Sequence, residues 1–241
     1  MTDSQLAETR VGKIVARQPK VARVFEKYQI DYCCRGNTTL ADACAEKKVN
    51  CTDLIEEIEQ IDKNGRLESE TDWNIASLTE LADHIVAVHH QFLNAELPRI
   101  TGLIAKVNKA HGDRRPELGK VAETFELMRG ELESHMAKEE NILFPAIRKM
   151  ESHPGSTVFP FGSVANPISM MQHEHDDAGQ ALRRLRELTD DFTPPPDACP
   201  TYRVMLESLQ NLELDLHLHI HKENNILFPR AKEFERIAFA V

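Results

Sequence analysis

No stretch of eighteen apolar residues occurs anywhere in the 241-residue chain, so no membrane-spanning helix is expected. An excess of positive charge is also missing. Lys and Arg total 29 against 39 Asp and Glu, a net charge of −10. That balance argues against general nucleic-acid binding, which needs a basic face. The first ten residues are polar and lack the apolar core of a secretory signal. A cytoplasmic location is the expectation. Cysteines are few, odd in number at five, and follow no secreted disulfide pattern. They read as reduced thiols: Cys44, Cys51 and Cys199 have no special setting, and the one local exception is the adjacent pair Cys33-Cys34.

What is present is an eleven-residue stretch that occurs twice. His135-Met-Ala-Lys-Glu139-Glu-Asn-Ile-Leu-Phe-Pro145 and His219-Ile-His-Lys-Glu223-Asn-Asn-Ile-Leu-Phe-Pro229 share eight of eleven positions. Each copy places a His and a Glu four residues apart, one above the other on a helix face. Such pairs are common on solvated helices, where most bind nothing. Here they fall within apolar stripes: Met128 and Leu132 precede the first, and Met205, Leu209, Leu212 and Leu216 precede the second. A carboxylate inside a core is costly unless paired, hydrogen-bonded or bound to metal. The repeated pair therefore points to metal.

Residues 1–65 read as a small helical unit. Helical patterning covers 11–17 and 20–28, with Pro19 at the junction and a turn at Gly36-Asn37. Thr39 with Asp42 matches a capping box, and Thr52 is expected to cap a following helix. So small a core is marginal alone, so the unit should dock on the rest or form a homodimer. Residues 66–76 read as a linker, and 77–241 as a bundle. Ser77 with Glu80 opens a long helix whose stripe is Leu78, Leu81, Ile85, Val88 and Phe92, with His84 beside it. Pro98 should bend this helix without ending it. A second long helix follows Pro116 and carries the first His/Glu pair. A third begins at Pro167 and has His175 on its stripe, and a fourth carries the second pair. Two helix pairs of this length make an all-α, antiparallel four-helix bundle.

Four imidazoles (His84, His135, His175, His219) and two carboxylates (Glu139, Glu223) should converge inside it. Dimetal sites built from Glu and His in bundle cores are typically iron or manganese. Two bridging carboxylates with an oxo or hydroxo bridge leave each metal an open position. His217 and His221 fall off the stripe and read as exposed or outer contacts. His89, His90 and His173 flank the ligand helices, with an outer contact open to His89 or His173, and His111 and His153 read as solvated turn residues. Adjacent cysteines cannot form an unstrained disulfide, because their Cα atoms are only ~3.8 Å apart. Arg35 would favour a thiolate at Cys33 or Cys34 and the Gly36 turn would expose the sulfurs. Burial as two small apolar side chains is the rival reading.

His135-x₃-Glu139 with Leu143-Phe144-Pro145, repeated at His219 and Glu223, resembles the haemerythrin-like fold. Ile30-Asp31-Tyr32-Cys33-Cys34-Arg35-Gly36 ahead of such a bundle is similar to the iron–sulfur cluster repair di-iron proteins, as are Glu174-His175-Asp176-Asp177-Ala178-Gly179 and Glu223 to Arg230. The resemblance covers nearly the whole chain in the same order. It implies two iron ions per chain and a stress role, restoring clusters damaged by nitric oxide or oxidants, with damaged iron–sulfur proteins as transient partners. Oxygen-carrying haemerythrins use five His where four are placed here, which points away from reversible O₂ carriage. Iron supply to the client, with Cys33 and Cys34 passing the metal on or docking the client, is the leading expectation. Nitric oxide binding or reduction at the di-iron site, and O₂ or redox sensing, are the alternatives.

Overall fold

The structure, a computed structural model, describes residues 3–63, 71–155 and 158–238. The first part of the expected linker thus lies outside the described residues. The regular structure among them is helical, with loops between the helices and two isolated bridges, Arg10 with Thr39 and Phe159 with Gly162. The chain packs as two compact units: Met1–Leu81 together with His217–Val241, and Ala82–Leu216. The packing units therefore divide the last long helix, whereas the sequence placed the boundary at the linker.

The unit Ala82–Leu216 is an antiparallel four-helix bundle. Its helices are α7 (Gln91–His111), α8 (Glu117–Lys138), α10 (Ala165–Leu188) and the first part of α11 (Pro200–Lys222); α9 (Phe144–Ser152) follows α8. Residues at spacings of three and four supply its core. Leu93, Leu97, Ile100 and Ile104 come from α7, and Val121, Phe125, Met128 and Leu132 from α8. Leu182 and Leu185 come from α10, and Met205, Leu209 and Leu212 from α11. Helix α8 packs on both α7 and α10. Pro98 sits inside α7 and the helix continues through it. The connection from α7 to α8 is a short turn at Gly112–Pro116, the length that makes consecutive helices antiparallel neighbours.

The other unit begins with α1 (Asp3–Ala7), α2 (Val11–Arg17), α3 (Ala22–Lys27), α4 (Leu40–Lys47) and α5 (Cys51–Lys63). It also holds α12 (Phe228–Ala238) and the start of α6 (Leu78–Ile85). Val11, Ile14, Phe25, Leu40, Leu54 and Ile58 form its core, and Ile220 from the end of α11 is buried among them. The marginal core is thus extended by a later part of the same chain. The Thr39 cap forms as its sequence implies, Asp42 N–H donating to Thr39 Oγ1 at 3.1 Å. The Ser77/Glu80 box is reciprocal, at 3.1 and 2.9 Å. Thr52 does not cap α5. That helix starts at Cys51, two residues earlier than a Thr52 cap would set, and Asn50 Oδ1 accepts from Thr52 N–H at 3.0 Å. The Arg230 guanidinium donates to the Trp73 and Ala76 carbonyls, tying the segment before α6 to α12.

Phe125 has no exposure at the centre of the bundle core. Phe125→Ala should lower stability by about 3–5 kcal/mol in urea unfolding followed by circular dichroism. A loss under about 1 kcal/mol would mean that α8 is not packed as described.

Candidate metal centre

The two repeat copies have the same backbone plan. Helix α8 runs into a π-helical turn at Glu139–Leu143, and α11 runs into one at Glu223–Leu227. A Phe-Pro pair follows each turn, at Phe144-Pro145 and Phe228-Pro229. Proline has no N–H and its ring crowds the carbonyl four residues back, so the helix widens by one residue ahead of it. In each copy the Glu of the His/Glu pair opens the widened turn, and both carboxylates have no exposure.

In the bundle unit, Glu139 is surrounded by imidazole nitrogens. His90 Nε2 lies 3.3 Å and His135 Nε2 3.4 Å from Glu139 Oε2. His175 Nε2 stands 3.1 Å from His135 Nε2. The ligand atoms of His135, Glu139 and His175 all fall within 4.8 Å of one another. Neither oxygen of Glu139 has a hydrogen-bond partner among the described residues. The outer nitrogens of two of these rings are held by other carboxylates. His135 Nδ1 contacts Glu174 Oε2 at 2.8 Å, and His90 Nδ1 contacts Glu140 Oε1 at 2.8 Å. A carboxylate accepts only, so Nδ1–H of each ring donates outward and Nε2 is the nitrogen presented to the interior. Burial pushes the Glu174 carboxyl up, but hydrogen bonds from Lys138 and His135 outweigh it and hold it below the usual range. The result is a buried cluster of potential ligand atoms facing one another. A cation between them removes the repulsion and neutralises the carboxylate, so this donor set fits a metal ion.

In the other unit, His219 Nε2 lies 3.2 Å from Glu223 Oε1, and both residues are buried. This pair repeats the His135/Glu139 arrangement at the same spacing.

His84 does not join the cluster. It is half-buried on α6, its ring 6.0 Å from that of His89, and the imidazole beside Glu139 belongs to His90. The cause is a third π-helical turn at Val86–His90. It inserts one residue into the helical phase. Leu78, Leu81 and Ile85 are buried as the stripe requires, but from the turn onward Val88 is 44% exposed and His89, His90, Leu93 and Leu97 are inside. Counting back from Leu97 and Leu93 at helical spacing reaches His90, a signal present in the sequence but masked by the stripe begun at Leu78. His89 is turned to Asp215, Nδ1 to Oδ1 2.8 Å. Three other histidine expectations also change. His111 ends α7 buried, its Nε2 3.3 Å from Cys199 Sγ. His221 is buried, its ring 5.5 Å from that of Tyr32, and burial lowers its pKa to about 4. His217 also packs on Tyr32, at 6.2 Å.

Cys33 and Cys34 sit on a loop ordered by Asp31. Its Oδ1 accepts from Cys34 N–H at 2.9 Å, Arg35 N–H at 3.2 Å and the Cys33 thiol at 3.3 Å. The sulfurs are 3.8 Å apart and unbonded. Cys33 is buried and Cys34 half-buried. The contact with Cys34, burial and the Asp31 charge hold the Cys33 thiol well above its usual range. Arg35 does not offset this, since its guanidinium pairs with Glu46. The oxygen and two sulfurs of Asp31, Cys33 and Cys34 lie within 4.8 Å of one another.

Comparison with known proteins agrees with both parts of this plan. Residues 81–231 match the Hemerythrin HHE cation binding domain, and residues 7–62 match ScdA_N, a domain of unknown function (DUF542). The chain is 37% identical over 222 residues to the iron-sulfur cluster repair protein YtfE of Citrobacter koseri. It is 38% identical over 222 residues to that of Escherichia coli O81. Each alignment covers 92% of this chain and 95% of the relative. The chain belongs to this family, in which an ScdA_N region precedes a hemerythrin domain.

His90→Ala should lower the Fe(II) retained after anaerobic loading by at least half, whereas His84→Ala should retain the wild-type amount. Metal analysis after desalting decides between them, and the reverse order would restore His84 as the ligand.

Proposed function

We propose that this protein restores iron–sulfur clusters damaged by nitrosative or oxidative stress, and that it does so by supplying iron. The observation that carries the reading is Glu139: a fully buried carboxylate with no hydrogen bond, ringed by imidazoles whose outer nitrogens are fixed by Glu140 and Glu174. Its repeat partner Glu223 is equally buried and has His219 at the same helical spacing, Nε2 to Oε1 3.2 Å. The hemerythrin match spans both copies, and the relatives are named for cluster repair.

On this reading His90, His135, Glu139, His175, His219 and Glu223 hold two irons, with Glu139 and Glu223 as the bridging carboxylates. The irons, when bound, supply ligand exchange and electrons. The side chains do the rest. Glu140 and Glu174 keep the protons on Nδ1 of His90 and His135, so that both Nε2 atoms remain donors. The carboxylates bury the charge of the cargo without help from water. Cys33 and Cys34 form a thiol site for iron on its way to a client. Cys33 is protonated at rest, so metal capture there must release a proton. Cys34 is the more accessible sulfur. The clients are damaged iron–sulfur proteins met transiently.

The reduced, iron-loaded protein should restore activity to an enzyme stripped of its cluster, with matching loss of iron from the donor. Cys33→Ser with Cys34→Ser should keep the iron content and lose most of the restoring activity. Restoration without iron loss, or loss of iron from the double variant, would contradict the division of roles.

A further inference from the structure

Three of the eleven repeat positions differ between the copies: Met136/Ile220, Ala137/His221 and Glu140/Asn224. In the second copy all three of these residues meet the thiol-bearing unit. Ile220 is buried in its core, His221 packs on Tyr32, and Asn224 Nδ2 reaches the Cys33 carbonyl at 3.4 Å. In the first copy Met136 lies in the bundle core, Ala137 is exposed and Glu140 holds His90.

One position is identical in sequence but used differently. Asn141 folds back on its own helix, Nδ2 donating to the Ala137 carbonyl at 2.7 Å. Asn225 reaches outward, and its Nδ2 donates to the Cys33 carbonyl at 3.0 Å and the Tyr32 carbonyl at 3.2 Å. Its amide fills a slot between two glycines. A Cβ on Gly12 would lie 2.3 Å from Asn225 Oδ1, and one on Gly36 would lie 2.0 Å from it. The two glycines are joined by Gly12 N–H donating to the Gly36 carbonyl at 2.9 Å. Gly12 lies inside α2, where alanine would otherwise be the better helix former. Neither glycine has positive φ. The glycines therefore serve the close approach of this side chain.

We propose that Asn225 is a positioning residue that couples the thiol loop to the metal ligand Glu223. The proposal rests on Glu223 being such a ligand, as in the preceding section. Asn225 lies two residues beyond Glu223 in the same π-helical turn. Metal bound at Glu223 fixes that turn, the fixed turn holds Asn225 against the Cys33 carbonyl, and the loop opens less often. Release of the metal frees the turn and makes the thiols easier to reach. Thiol access thus reports whether iron is present.

The test is the rate at which an alkylating agent modifies Cys33 and Cys34, followed by mass spectrometry, in iron-free and Fe(II)-loaded protein. Wild type should react about three- to tenfold more slowly when loaded, the range expected when one or two hydrogen bonds stop opening. Asn225→Ala should bind the same amount of iron and react at one rate in both states. Gly12→Ala, which retains Asn225 but closes its slot, should do the same. Adding Asn225→Ala to Gly12→Ala should recover thermal stability lost in the single variant, because the new methyl then occupies vacated space. An iron-dependent rate that survives in both single variants, or a wild type that binds iron without any change in rate, would overturn the coupling. Loss of iron from Asn225→Ala would also overturn it, assigning the residue to metal retention. A wild type that binds no iron would sink the metal reading instead, so the two failures are distinguishable.

Discussion

Placing a carboxylate where no water reaches it is among the least favourable things a fold can do, and Glu139 is placed there without a hydrogen bond. His90 and His135 approach it through Nε2, while Glu140 and Glu174 hold the protons of these rings on the far side. An arrangement this costly persists in a stable bundle when something absent from the polypeptide compensates it. A divalent cation does so by accepting all the lone pairs at once. The surrounding bundle then makes sense as a frame: Phe125, Met128 and Leu132 on α8, with Leu93 and Leu97 on α7, fix the two helices that deliver these side chains.

The π-helical turns are the local device that makes this delivery possible. Three occur among the described residues, and each contains His90, Glu139 or Glu223. An α-helix offers one buried stripe at fixed phase. A widened turn breaks that phase, so the polar ligand and the apolar residues that follow can both face inward. Before Pro145 and Pro229 the widening has a covalent cause. At Val86–His90 no proline follows within a turn, and the sequence there carries no comparable marker.

This explains which side chains of the proposed site were legible from the residues alone. His135 with Glu139 and His219 with Glu223 could be found because they fall inside helical stripes and are repeated. His175 could be found because α10 keeps one phase from Ile168 to Leu185. His90 was missed in favour of His84, because periodicity cannot show a residue inserted mid-helix. The bundle and the small helical unit were readable from apolar spacing and from caps such as Thr39 and Ser77. What completes the small unit was not, since the burial of Ile220 and His221 depends on a segment about 160 residues beyond that unit's own helices. The same holds for Asn225, an ordinary polar residue until the slot between Gly12 and Gly36 is seen.

The central claim, that a cation compensates the burial of Glu139, is tested most directly by melting Glu139→Gln beside wild type, with and without iron. Gln has the same shape and no charge. The metal-free variant should melt above metal-free wild type, because the buried charge is gone. Iron should raise the melting temperature of wild type and leave that of the variant nearly unchanged. A metal-free variant that melts lower, together with an equal iron-induced rise in both proteins, would show that Glu139 is a structural side chain and that the metal lies elsewhere.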